Sequence, residues 1–261
     1  MTVKRLPAEL TDRIIDHLHS DKRALAMCSL VCKTWLPASR YHSHTEICLT
    51  VHNIQSFTEL LNSPACTFFG HAVDVDISVY DDPDDGPGIL STISYRLFRL
   101  NIKSLRLNGV NWDIRDEELE EVLRCLAAIS ALEMWEVTFS DPNQFVKFAT
   151  SFVSLERLSL PGLSFQTDDA AHIPSFTLSP LLRFVDLNLS PDLLWFLLAA
   201  QFPPLNHIKL SWITSDDLDA VQALLQFSGP SLHNLFLHFD FDESGAFVHL
   251  GILWCSSSSF L

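Results

Sequence analysis

From Ile102 to Leu237 apolar residues recur in one spacing, apolar-x-x-apolar-x-apolar. The copies are Ile102-Leu105-Leu107, Leu132-Trp135-Val137, Leu155-Leu158-Leu160, Leu182-Val185-Leu187, Leu205-Ile208-Leu210 and Leu232-Leu235-Leu237. Weaker ones stand at Ala72-Val75-Ile77 and Ile47-Leu49. Each ends in a one-on, one-off alternation, which puts two apolar side chains on one face of a short strand. The middle residues, 47, 75, 105, 135, 158, 185, 208 and 235, advance in steps of 23 to 30.

The stretches between these strands carry helical spacing. Residues 116–129 place Leu119, Val122, Leu123 and Leu126 on one face, and Asp141-Pro142 supplies a cap and a first-turn proline for a helix burying Phe145, Phe148 and Ala149. Pro191 opens a helix from Leu193 to Phe202, and Ser215-Asp216 caps one from Leu218 to Phe227. Residues 161–180 read as a longer loop, with Pro161, Gly162, Pro174 and Pro180. One strand and one helix per ~25 residues predicts parallel strands with helices on the outer side, because a single unit cannot bury its own apolar face and must stack on its neighbours. The side chains alternating with the buried pairs then form an inner, concave face. Arg106, Asn108, Glu136, Asp186, Lys209, Phe236 and His238 are its candidate target-binding residues.

The first 45 residues follow a different pattern. Leu6-Pro7 opens a helix with Pro7 in its first turn, and Leu10, Ile14, Ile15 and Leu18 form its apolar stripe. Ser20-Asp21 caps a second helix bearing Leu25, Met27, Cys28, Leu30 and Val31, followed by Trp35 and Pro37. Forty residues with this much apolar surface are too few to bury it alone. The surplus is expected to meet the rest of the chain or a partner.

The order Leu6-Pro7-x-Glu9-Leu10-x-x-x-Ile14-Ile15-x-x-Leu18, then Asp21, Leu25 and Ser29-Leu30-Val31-Cys32-Lys33-x-Trp35, resembles the F-box over about forty residues. Ala24 stands where many F-boxes carry a bulkier aliphatic. The resemblance implies a trihelical box that docks on the Skp adaptor of a Skp–cullin–F-box ubiquitin ligase. Leu6, Pro7, Leu10, Ile14, Leu18, Leu25, Leu30, Val31 and Trp35 would be its contact or box-core residues. The remainder resembles the leucine-rich repeats often found after F-boxes, although the Asn that usually follows their L-x-L is mostly missing, with Asn108 and Asn188 nearest to it.

Composition narrows the alternatives. Hydrophobic residues make up 48% and charged residues 19%, ample for a packed core, and the formal net charge of −15 argues against nucleic-acid binding. Residues 1–45 carry seven basic and four acidic side chains, so a slightly basic head precedes a body of −18, as suits docking on an acidic partner. Six scattered cysteines read as free, mostly buried thiols of a reducing compartment. The N-terminus lacks the apolar core of a signal peptide, and the longest apolar run, 193–200, is far too short to span a bilayer.

Little catalytic chemistry is legible. His17/His19 and His42/His44 sit two apart, a spacing that diverges on a helix, and Cys28/Cys32 have no nearby completing ligands, so core packing is their expected role. The acidic run 81–86 has Pro83 at the third position of a calcium loop and Thr92 at the twelfth, and reads as an exposed loop. No phosphate-cradling or nucleophile-elbow glycine motif occurs. Residues 251–255 followed by four serines do not resemble a polar capping repeat, so the last repeat is expected to be the least stable.

The expected architecture is therefore α/β: a trihelical F-box over 1–45, then a leucine-rich-repeat-like solenoid over 46–261 with a parallel sheet on its concave face. The expected role is non-catalytic and needs no cofactor or metal. It is that of a cytoplasmic or nuclear substrate-recognition adaptor joining the Skp subunit of a cullin–RING ligase to a target protein, without nucleic acid or membrane. The alternative is a leucine-rich interaction scaffold with no part in ubiquitination, whose head only caps the array.

Overall fold

Alternation of apolar and polar residues accounts for the largest element of the computed structural model. It describes residues 7–64, 66, 72–79, 100–112, 126–167, 175–189 and 198–239, with positions 120, 123, 124, 193 and 196. Leu6, the acidic run 81–86, Cys125 and residues 240–261 lie outside them.

Eight strands form one sheet: β1 (Glu46–Thr50), β2 (Ala72–Ser78), β3 (Asn101–Asn108), β5 (Ala131–Trp135), β7 (Arg157–Leu160), β10 (Phe184–Asn188), β12 (His207–Ile213) and β13 (Asn234–Phe239). They lie side by side in chain order, every neighbouring pair parallel. The chain is thus of mixed α/β class with a largely parallel sheet. Register aligns Ile47, Val75, Leu105, Leu132, Leu158, Val185, Ile208 and Leu235 in one row. This row and the next, Leu49 to Leu237, turn inward into a single apolar core.

That register corrects one expectation. Leu132, not Trp135, faces Leu105 and Leu158. The working triplet is Ile129-Leu132-Met134, with Met134 fully buried and Trp135 43% exposed. Both triplets satisfy the same spacing, and strand pairing chooses the one that leaves the polar-edged indole outside.

Short strands follow three of these. β4 (Asn111–Trp112), β6 (Val137–Phe139) and β8 (Leu163–Phe165) form a second parallel sheet, and β9 (Phe176–Thr177) pairs with β11 (Ala200–Gln201). The expected loop 161–180 therefore contains β8 and β9, and the expected helix ending at Phe202 gives way to β11. Gly162 is required at the turn into β8: a Cβ there would lie 2.8 Å from the Glu136 backbone nitrogen.

Helices pack beneath. α4 (Ile54–Asn62) follows β1, α5 (Pro142–Thr150) is capped by the Asp141 carboxylate accepting from the Asn143 and Gln144 N–H groups, and α6 (Leu218–Ser228) follows β12. α5 starts where the sequence predicts it. Phe145 and Phe148 join Trp112 and Phe139 in an aromatic cluster, with Trp112 and Phe148 centroids 4.5 Å apart. Ahead of α6 the cap is Thr214, not Ser215-Asp216, because Asp217 accepts from the Thr214 N–H and hydroxyl. Of the helix expected over 116–129, positions 120, 123, 124 and 126 are helical among the described residues.

The head is three helices: α1 (Ala8–His17), α2 (Lys22–Val31) and α3 (Leu36–Ser43). Pro7 stands one residue before α1, where its carbonyl accepts from the Leu10 and Thr11 N–H groups, rather than within the first turn. Asp21 caps α2 by accepting from the Ala24 N–H at 2.8 Å. α3 packs against both other helices. No helix among the described residues is long and apolar enough to cross a membrane.

Candidate functional site

Two exposed faces stand out. In the head, Ile15, Leu25 and Cys28 are buried and make the small core between the helices. Leu10 and Ile14, four apart on α1, are 47% and 42% exposed, and on α2 Met27, Leu30 and Val31 are more exposed still, Leu30 at 80%. Residues three and four apart share a helix face, so each helix turns an apolar stripe to solvent. Of the head residues expected to serve docking, Pro7, Leu10, Ile14, Leu30 and Val31 are thus open, Leu18 and Trp35 half-buried, and Leu25 internal. Met27 belongs with the open set and was not singled out by sequence, since a stripe alone does not say which of its members a neighbouring helix covers.

Polar contacts fix the head's shape. His42 Nε2 meets Asp16 Oδ1 at 2.8 Å, tying α3 to α1, and the Lys22 ammonium donates to the Ser43 carbonyl at 3.2 Å near the end of α3. Burial, then the nearby Lys22 and Arg40 charges, hold the His44 imidazole below its ordinary pKa. Cys32 lies beyond the end of α2, exposed, its Sγ 3.0 Å from Thr34 Oγ1, and Cys48 is exposed too. Neither is the core thiol that apolar neighbours suggested.

The second face is the side of the large sheet away from the core. Its central row, in register, is Cys48, Asp76, Arg106, Glu133, Ser159, Asp186, Lys209 and Phe236. Arg106 is the hub: its Nη1 donates to Asp76 Oδ2 and its Nε to Glu133 Oε2, both at 3.1 Å. These bonds, Glu133 first, raise the pKa of the guanidinium. Asn108 donates to Asp76 Oδ1 at 2.8 Å, and the Trp135 indole N–H to Glu133 Oε1 at 2.6 Å. Further along, Lys209 meets Asp186 Oδ2 at 2.9 Å.

Arg106, Asn108, Asp186, Lys209, Phe236 and His238 all belong to this face. Glu136 does not: it sits in the turn between β5 and β6 with φ 51, and Glu133 takes its place in the row. The three-residue register error hid both Glu133 and Trp135. Trp212 was missed for another reason. An irregularity in the β12–β13 pairing gives it φ 64, a left-handed conformation rare for a bulky residue, and its half-exposed ring meets His238 edge-on at 5.5 Å. No hexad shows such a bulge.

The head end of this face is acidic. Asp74 has its pKa raised by partial burial and then by Glu46, and Cys48 has its own raised by partial burial, Glu46 and Asp76, with Arg106 opposing both shifts.

Among the described residues no three His, Cys, Asp or Glu side chains gather as a metal site would require. No protein-family model matches the chain. Comparison with curated proteins finds no match either.

Proposed function

We propose that the chain is a protein-binding adaptor whose helical head docks on the Skp subunit of a cullin–RING ubiquitin ligase, and whose repeats, as a leucine-rich solenoid, hold a target on the open sheet face. The observation that carries this reading is the split of the head's apolar residues. Ile15 and Leu25 are fully buried, while Leu10, Ile14, Met27, Leu30 and Val31 are left in solvent. A head that merely capped the array would bury Leu10 and Ile14 inside the chain. The motif order that resembles the F-box names the partner. The role is proximity: ligase and target are held together and ubiquitin transfer belongs to other subunits.

The test is a pull-down of purified Skp adaptor by the full chain, wild type against Leu10→Asp/Ile14→Asp. Binding abolished by the double change supports the ligase-adaptor reading. Absence of binding by the wild-type chain overturns it and leaves an interaction scaffold.

A further inference from the structure

The open sheet face is polarised along its row. Toward β1 it carries four carboxylates, Glu46, Asp74, Asp76 and Glu133, and Arg106 answers only two of them. Glu46 adds to the raised pKa of both Asp74 and Cys48, after burial, which is the larger cause in each. Toward β13 the face turns aromatic, with Trp212, Phe236 and His238. Trp135 stands between the two regions, its ring edge fixed by Glu133.

The two tryptophans sit within one residue of the same row, since Trp135 extends β5 where Ser211 extends β12. β7 and β10 separate their strands, so β5 and β12 lie about 14 Å apart at ~4.8 Å per strand spacing. An extended chain covers about the same distance in four residues at ~3.4 Å each. Half-exposed, rigid tryptophans are the usual anchors of protein interfaces. A cation resting on Trp135 would also lie beside Glu133, whose cluster with Asp76 and Arg106 holds two carboxylates against one guanidinium, a setting that favours Lys or Arg over an acidic or neutral group.

We propose that this face receives an extended protein segment laid across the strands, basic where it crosses β1 to β5 and apolar where it crosses β12 and β13, with Trp135 and Trp212 as its two anchors. The inference rests on the adaptor reading above and names the class of target that reading leaves open. Glu133 is the specificity-determining residue, because it orients Trp135 and leaves its cluster with Asp76 and Arg106 one charge negative.

The test is selection of a displayed library of random twelve-residue peptides against the full chain, in parallel with Trp135→Ala, Glu133→Lys and the head variant Leu10→Asp/Ile14→Asp. Peptides lost with Trp135→Ala but kept with the head variant define ligands of the face. They are expected to be enriched in Lys and Arg over the input, to carry an apolar residue about four positions away, and to be lost with Glu133→Lys. Face ligands without that enrichment, or ones that Glu133→Lys retains, overturn the inference while leaving target binding on the sheet intact. Absence of any Trp135-dependent peptide overturns both, and the Skp pull-down judges the head separately.

Discussion

The Trp135 indole N–H donates to Glu133 Oε1 at 2.6 Å, two residues back on the same strand. Glu133 is in turn held by Arg106, and Arg106 by Asp76, so a relay across three strands ends in one half-exposed ring. Glu133→Ala is expected to free that ring, with a weaker near-ultraviolet tryptophan signal and lower fluorescence anisotropy. Stability should fall by no more than about 1 kcal/mol, since the relay is half-exposed and Arg106 keeps its bond to Asp76. An unchanged aromatic signal would mean that packing, not Glu133, orients the indole.

Two residues of the head separate stability from the proposed docking. Leu25→Ala empties a fully buried position and should cost about 2–5 kcal/mol in urea unfolding. Leu30→Asp changes a residue that is 80% exposed and should stay within about 0.5 kcal/mol of wild type. Only the second should lower Skp binding with the fold intact. Destabilisation by Leu30→Asp comparable to Leu25→Ala would show that the exposed stripe is covered within the chain.

Gly162→Ala tests the close approach at the β8 turn. The new Cβ would press on the Glu136 backbone at 2.8 Å, and backbone cannot swing aside as a side chain tip can. A loss of about 1–3 kcal/mol is expected, as for overpacking elsewhere. A neutral result in urea unfolding would show that the two turns part freely.

Much of this fold can be read from the chain because alternation, helical spacing and caps act locally. Leu158 and Leu160 mark β7, and Asp141 followed by Pro142 marks the start of α5. What escapes is whatever a distant partner decides. Ile129-Leu132-Met134 and Leu132-Trp135-Val137 are equally good hexads, and only pairing with Leu105 and Leu158 selects the first. Strands of two or three residues such as β4 and β9 are shorter than any period needs to declare itself. The candidate site follows the same rule. Arg106, Asp186 and Lys209 fall on their face by alternation alone, whereas Glu133 and Trp212 needed the register and its irregularity.

Acid should loosen the head through His44. Its folded-state pKa is depressed by burial, so the unfolded chain binds the proton more readily. The stability it contributes is present above about pH 6.5, the ordinary histidine value, and is lost as pH falls from there through the depressed folded value. His44→Asn is expected to flatten the thermal-stability profile between roughly pH 7 and 5 relative to wild type. Equal slopes in that window would remove His44 from the account.

Because the large sheet runs in chain order, each paired residue lies within about thirty positions of its partner, as with Val75 and Leu105 or Val185 and Ile208. Closing each such loop costs nearly the same entropy, and no pairing must wait for a remote end of the chain. Assembly of the sheet can then begin at any adjacent pair and spread both ways, with a contact order low for so strand-rich a protein. A lesion at Leu158, midway along the row, would interrupt that spread and uncouple the β1–β5 side from the β10–β13 side, broadening a single unfolding transition into two.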